Sequence, residues 1–70
     1  MLRSDHVALV KRRALEYLEV SQISNAWNSF QREFPLHPDC RLTVEQIAQG
    51  YLVAMQQSIS AMRGFINSFV

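Results

Sequence analysis

The residues with the clearest chemical character are four basic side chains near the start of the chain. Lys11, Arg12 and Arg13 are consecutive, and Arg3 precedes them by about two helical turns. Lysine and arginine side chains contact the phosphates of nucleic acids, so this group is a candidate nucleic-acid site. Consecutive residues of a helix spread over roughly 200° of its surface, however, so the three neighbours cannot form one basic stripe. A solvated helix surface beside an apolar face explains the same residues.

A second group with chemical character consists of His37, Asp39 and Cys40, in a segment that also contains Pro35 and Pro38. Histidine, cysteine and aspartate side chains bind metals, and a Cys–His pair can supply a nucleophile and its base. Three such residues within four positions, without a fourth ligand nearby, are not the pattern of a zinc site. We therefore expect an ordinary exposed loop here, with no metal and no cofactor.

Catalysis is not expected from this chain. The sequence contains two glycines, no glycine-rich phosphate-binding motif, and no pair of carboxylates in an apolar setting. A chain of 70 residues also has little room for both a substrate pocket and a hydrophobic core. The sequence therefore predicts a protein that is not an enzyme and that has no catalytic, cofactor-binding or metal-binding residues.

Length and composition indicate a single small helical domain over residues 1–70. The chain is 49% hydrophobic, which is not the composition of a disordered protein. Its formal charge is +1, so it is not strongly basic. Its one cysteine, Cys40, cannot form an internal disulfide and favours a reduced, cytoplasmic setting. A core of this size usually needs additional stabilisation, and with neither a disulfide nor a metal expected, homodimerisation is the remaining means.

Hydrophobic periodicity predicts an all-α fold with three helices. We expect them at about residues 4–20, 22–34 and 43–70, with a Pro-containing linker at residues 35–42 before the third. The first break rests on a change in the direction of the apolar face, with Ser21 or Ser24 as the cap, and one helix through residues 5–34 is the alternative. Thr43 and Gln46 predict a capping box at the start of the third helix. The expected inward faces are Val7, Val10, Ala14, Tyr17 and Leu18 on the first helix, and Ile23, Ala26, Trp27, Phe30 and Phe34 on the second.

The predicted third helix carries an apolar stripe that is too long for a small monomer to cover. A helix over residues 43–70 is roughly 40 Å long. Gln56, Gln57 and Arg63 make it too polar to span a membrane. We expect the helical hairpin to pack on this helix and two copies to join along it, in a parallel or an antiparallel dimer. The expected dimer-interface residues are Tyr51, Met55, Ile59, Met62, Phe65, Ile66 and Phe69.

Small and aromatic residues recur through residues 10–38 at a characteristic spacing. The pattern comprises Ala14, Tyr17, Ala26, Phe30 and Pro38. In these positions the segment resembles a single tetratricopeptide-type helical hairpin, although Val10 and Glu33 stand where that family prefers a larger aromatic and a small residue. The resemblance implies a helical surface that holds another protein. A generic αα-hairpin is the alternative, and either hairpin needs a neighbour to cover its apolar face.

The function that these features predict is a small helical protein–protein interaction module. It is expected to bind and inhibit a larger protein partner, in the manner of bacterial or phage anti-activators. The expected partner-binding residues are Leu9, Arg12, Arg13, Leu36 and Leu42, with the third helix as the alternative surface. A second contact surface is suggested by apolar residues that fall off the main faces, namely Leu9, Leu15, Leu36, Leu42, Leu52 and Val53. The alternative function is a dimeric nucleic-acid-binding regulator that uses Arg3, Lys11, Arg12 and Arg13.

Overall fold

The computed structural model describes residues 2–69, which form four α-helices and one short 3-10 turn. The elements in chain order are α1 (Arg3–Glu19), α2 (Ile23–Glu33), the 3-10 turn (Phe34–Leu36), α3 (Val44–Met55) and α4 (Ile59–Asn67). The all-α prediction is confirmed. The number of helices was wrong, because the predicted third helix is broken into α3 and α4. Within residues 2–69, every helix is too short or too polar to span a membrane.

The chain turns between α1 and α2 at Ser21 and Gln22, so the predicted break is confirmed. Ser21 has a φ of 61°, its N–H donates to the Leu18 carbonyl at 3.0 Å, and the Gln22 N–H donates to the Tyr17 carbonyl at 2.9 Å. The predicted caps were wrong, because the N-cap of α2 is Gln22 and makes no side-chain capping bond. The turn is therefore closed by backbone hydrogen bonds to the last turn of α1.

The buried faces of α1 and α2 follow the predicted periodicity. The core residues that these helices and the 3-10 turn contribute are Val7, Val10, Ala14, Leu18, Ile23, Ala26, Trp27, Phe30 and Phe34. Tyr17 is the exception, since 36% of its surface is exposed. The two helices pack against each other as a hairpin, which agrees with the architecture that the sequence predicts for this half of the chain.

The predicted long helix ends at Met55 because the chain reverses over residues 56–58. Gln57 has a φ of 54°, and its side-chain amide donates to the Ala54 carbonyl at 3.1 Å. Ser58 then caps α4, its hydroxyl accepting from the Ala61 N–H at 3.2 Å. Neither glycine nor proline marks this reversal. The chain reverses because this buries the apolar face of α4. Most of the stability of a helix in a protein comes from packing its apolar face and not from helix continuity.

The reversal brings α4 onto the hairpin of α1 and α2. Met62 and Ile66 are fully buried, and the ring of Phe69 lies 4.7 Å from that of Phe30 between centroids. Phe65 meets Trp27 edge to face at 5.4 Å. Such aromatic pairs add to the stabilisation that burial itself provides. The core of this chain is therefore completed by its own C-terminal helix.

The junction between α2 and the 3-10 turn is held by the side chain of His6, from the first turns of α1. The ring Nε2–H of His6 donates to the carbonyls of Glu33 at 3.1 Å and Phe34 at 3.0 Å. Because both partners are acceptors, Nε2 must carry the proton.

Cys40 is 1% exposed and belongs to the core, so the prediction of an ordinary exposed loop was wrong at this position. Across residues 2–69, no three His, Cys, Asp or Glu side chains are grouped as a metal site requires.

α3 begins as predicted and lies very close to α2. The capping box is confirmed: the Thr43 hydroxyl accepts from the Gln46 N–H at 3.0 Å, and the Gln46 side chain accepts from the Thr43 N–H at 2.8 Å. One turn further on, Gly50 faces the indole of Trp27. A Cβ atom at Gly50 would lie 2.1 Å from Cε2 and Cζ2 of that ring. The close packing of α3 on α2 therefore requires glycine at this position.

We predict opposite effects on stability for alanine at the two glycines of the chain. Gly50→Ala should lower the free energy of unfolding by about 2 kcal/mol, since the clash with Trp27 outweighs the better helix propensity of alanine. Gly64→Ala should raise it by up to about 1 kcal/mol, because a Cβ there meets nothing within 4 Å. Urea unfolding followed by circular dichroism measures both. Equal effects at the two positions would contradict the close contact.

Candidate protein-interaction surface

The outward side of α3 is apolar and uncovered. Its members are Val44, Ala48, Tyr51, Leu52 and Met55, which we call the α3 stripe. All five are exposed, and Val44 and Met55 expose 83% and 75% of their surfaces. Single exposed apolar residues are normal on a protein, but a contiguous group of them marks a contact surface. The α3 stripe is therefore the first candidate for a binding site.

The spacing of the α3 stripe makes it one continuous ridge. Its members follow one another at steps of four, three, one and three residues, which on a helix places them within about 100° of arc. The opposite side of α3 packs on the protein through Gly50, Val53 and Ala54. The helix thus has two apolar faces, and only one of them is used within the chain.

The surroundings of the α3 stripe carry almost no charge. Glu45 is the only charged residue of α3, and it lies at the N-terminal end. The other exposed residues beside the stripe are Gln49 and, just after α3, Gln56, and both are uncharged. A ligand on this face therefore gains little from ionic contacts, and its binding would depend on apolar burial.

A groove runs alongside the α3 stripe, between α3 and α2. Its volume is about 310 Å³, and it is lined by Ser24, Trp27, Asn28, Tyr51, Ala54, Met55 and Gln57. Two residues of the stripe, Tyr51 and Met55, form one wall, and polar residues of α2 form part of the other. Trp27 connects this surface to the core, because its ring also packs against Phe30 at 5.8 Å. The groove and the stripe therefore form one surface.

The residues expected in the dimer interface are divided between surface and core. Tyr51 and Met55 are exposed, and both belong to the α3 stripe. The remaining five pack in or against the core of their own chain, namely Ile59, Met62, Phe65, Ile66 and Phe69. In this conformation α4 faces α1 and α2 of the same chain. A contact between copies that used these five would require α4 to leave its place.

The residues expected to contact a larger partner lie in two regions. Leu9 is half-buried on α1, where Arg12 and Arg13 are exposed. Leu36, at the end of the 3-10 turn, is 74% exposed, whereas Leu42 packs against the core. Leu52 is exposed, as expected of an apolar residue that falls off the main faces. Val53 was expected to be off the main faces as well, but it is buried and contributes to the core.

The basic residues of α1 point in different directions and mostly contact their own chain. Arg3 Nε donates to the Asp39 carbonyl at 3.4 Å, and Lys11 Nζ donates to the Asn67 carbonyl at 3.4 Å. Arg13 forms an ion pair with Glu33. At 100° per residue, these three and Arg12 are spread around the whole circumference of α1. The geometry does not gather them into one basic face.

Glu33 is the centre of a polar cluster between α1 and α2. Its carboxylate accepts from the Ser29 hydroxyl at 2.8 Å and pairs with Arg13. Burial by itself raises the pKa of Glu33, but the two hydrogen bonds and the charges of Arg13 and Arg32 outweigh burial and lower it. The cluster borders an open groove of about 490 Å³ whose lining includes Tyr17 and these charged residues. Because its arginine and glutamate side chains largely neutralise one another, we assign this groove a structural role.

We predict that Glu33 makes the stability of the protein depend on pH under acid conditions. Its folded pKa is lower than the ordinary value of 4.5, so the stabilisation is present above that value and is lost as pH falls through the folded pKa. From about pH 6 to about pH 3, the wild type should lose more unfolding free energy than Glu33→Gln. Urea unfolding across that range measures the difference. Parallel pH profiles for the two proteins would contradict the assignment.

Comparisons of this chain with protein-family models, with curated proteins and with solved structures found no match. The candidate site therefore rests on the geometry alone. Of the residues in the tetratricopeptide-like sequence pattern, Ala14, Ala26 and Phe30 are buried, whereas Tyr17 is 36% exposed.

The sequence contained the signal for the α3 stripe but not for its exposure. Val44, Tyr51 and Met55 belong to the long apolar stripe that predicted one continuous helix. Residues 56–58 contain no breaker that would have shown where the stripe divides. Exposure of the α3 half follows from the turn at Gln57, which sends only the α4 half into the core.

A matched pair of methionines tests this division. Met62→Ala should lower the unfolding free energy by about 2–5 kcal/mol, because the side chain is fully buried. Met55→Ala should change it by no more than about 0.5 kcal/mol, because three quarters of that side chain is exposed. Thermal and urea unfolding of the monomer measure both. A large loss from Met55→Ala would show that the α3 stripe is covered.

Proposed function

We propose that this chain is a small protein–protein interaction module that binds a larger partner through the α3 stripe and regulates it by occupying the partner's contact surface. The observation that carries the proposal is the uncovered apolar ridge on α3, in a chain whose other helices bury their apolar faces. Inhibition of the partner, as by bacterial or phage anti-activators working in the cytoplasm, is the regulatory role that a module of this size fits.

The partner surface that fits α3 is an apolar groove that accepts a helix. Helix-in-groove recognition uses apolar anchors at one-turn spacing, and Val44, Ala48, Tyr51 and Met55 supply them at steps of four, three and four residues. Apart from Glu45, the margin of the stripe is uncharged, which calls for a partner groove with a largely uncharged rim. Tyr51 and Met55 suit the centre of such a contact, since aromatic and methionine side chains are enriched there.

The size of the surface suggests a reversible complex. An exposed apolar patch of this kind measures a few hundred Å², whereas a stable interface of standard size buries about 800 Å² on each partner. The groove beside Trp27 enlarges the surface, and so would contacts from Arg12 or Leu36 if the partner reaches them. An interface of this size suits a regulator that must dissociate from its partner.

Self-association is a second part of the proposal. The C-terminal half of the chain is apolar on more of its surface than one copy covers, and exposed Tyr51 and Met55 lie at the end of α3 that precedes the turn. A homodimer formed through this half would cover them. Nucleic-acid binding is less well supported, because Arg3, Lys11 and Arg13 already contact groups of their own chain.

Site-specific photocrosslinking in cells that produce the chain tests partner binding. A photoreactive phenylalanine analogue at Met55 should capture one larger protein, and the same analogue at Gln49 should not, because Gln49 lies on the polar side of the same helix. The captured protein is then purified and bound to the wild type and to Tyr51→Ser/Met55→Ser. We expect the double variant to lose about tenfold in affinity or more, with little change between low and physiological salt.

Three outcomes would contradict the binding of a larger partner through the α3 stripe. Equal capture from Met55 and Gln49 would show that the α3 stripe is not the contact surface. Capture of the chain itself alone would make the stripe a self-association surface. A steep loss of affinity with salt, together with crosslinks to nucleic acid, would favour the nucleic-acid alternative.

A further inference from the structure

One apolar stripe of the sequence is divided between the surface and the core of the folded chain. On a continuous helix at 100° per residue, Tyr51, Met55, Ile59, Met62 and Ile66 lie within roughly 80° of arc. In the structure, Tyr51 and Met55 are exposed, whereas Met62 and Ile66 are fully buried. The turn over residues 56–58 is all that separates the two halves.

That turn has the properties of a hinge. Gln57 occupies the left-handed region of backbone conformation, which costs a residue with a Cβ atom of order 1 kcal/mol. Gln56 and Gln57 are themselves good helix formers, so the sequence supports a continuous helix as well as the turn. The closed form is held by the Ser58 cap and by the Gln57 amide on the Ala54 carbonyl. A short strained connection between two packed elements favours exchange of one element between copies.

We propose that α3 and α4 straighten into one helix and that two copies of this chain exchange their α4 helices. Each α4 then occupies, in the second copy, the place that it occupies in its own chain in the closed form. The second copy is the partner that fits, because the surface that receives Met62, Ile66 and Phe69 is the surface that α1 and α2 already present to them. The inference rests on the self-association proposed above and adds its mechanism.

Burial of Met62 and Ile66 after straightening requires the second copy. A straight helix from Val44 to Asn67 is roughly 36 Å long, whereas the longest dimension of the folded chain is 32 Å. Straightening would carry Met62 and Ile66 away from α1 and α2 of their own chain and expose both. Exchange between two copies restores every α4 contact, including the Lys11 bond to the Asn67 carbonyl.

The equilibrium between the closed monomer and the exchanged dimer is therefore set by the turn over residues 56–58 and by the side chains next to it. The contacts of α4 are the same in both forms and cancel. The turn at Gln57 and the Ser58 cap favour the closed monomer, and the backbone hydrogen bonds of an unbroken helix favour exchange. Tyr51 and Met55 lie next to the hinge, where two straightened helices related by a twofold axis would meet. Their exposure in the monomer is thus accounted for by the exchanged dimer.

Two hinge variants and the wild type test the exchange. Gln57→Ala/Ser58→Ala favours a continuous helix. Gln57→Gly removes the cost of the left-handed backbone conformation in the turn and changes no core residue. Sedimentation equilibrium should give the double alanine variant a dimer association constant at least about tenfold above that of Gln57→Gly, with the wild type between them. Gln57→Gly should remain folded, so the comparison stands even where the double variant aggregates.

Isotope-filtered NMR then decides whether the dimer is exchanged. Labelled and unlabelled chains are unfolded, mixed in equal amounts and refolded, and contacts between Phe69 of one chain and Phe30 of another are sought. In the closed monomer these rings are 4.7 Å apart within one chain. Interchain contacts in the dimer confirm exchange. A dimer without them overturns the exchange and leaves self-association standing, and an absence of dimer at all concentrations overturns both while leaving partner binding through the α3 stripe untouched.

Discussion

The contact between Gly50 and the Trp27 ring determines how the C-terminal half of this protein is arranged. A Cβ atom at Gly50 would lie 2.1 Å from the indole, so α3 packs on α2 at a distance that no other residue permits. This contact commits the side of α3 that carries Val53 and Ala54 to the core. The opposite side, with Val44 and Met55, must then face away from the hairpin. The exposure of the α3 stripe is thus a consequence of how closely Trp27 and Gly50 approach.

In the monomer, the same contact favours a turn before α4. With α3 held by Gly50 against Trp27, a straight continuation would carry Met62 and Ile66 beyond the hairpin and remove both from the core of their own chain. Burying two large apolar side chains stabilises the fold by about 3–6 kcal/mol. A residue in the left-handed region at Gln57 costs of order 1 kcal/mol. The stabilisation from burial exceeds the cost of the turn, so the helix breaks where no breaker residue stands.

This comparison of energies shows why the sequence predicted part of the fold and not the rest. Features that depend on a few neighbouring residues could be predicted from the sequence. They are the Thr43 capping box, the periodicity of the buried face of α1 and the proline-containing linker. The turn at Gln57 was not, because its cause is burial of Met62 against residues far away in the sequence. The long apolar stripe was predicted without Leu52, and its division between surface and core depends on that turn. The His6 bonds to carbonyls 27 and 28 residues away carried no sequence signal at all.

The proposed partner binding and the proposed exchange of α4 would use the same apolar residues, so each would affect the other. Tyr51 and Met55 are exposed while the hinge is closed, and a larger partner that covered them would stabilise the closed monomer by mass action. Two straightened copies that meet at the hinge would cover the same side chains. Ligands with different affinities for two states shift the equilibrium between them. A partner on the α3 stripe and a second copy at the hinge would therefore compete, and the concentration of the chain itself would set how much of it is free to regulate the partner.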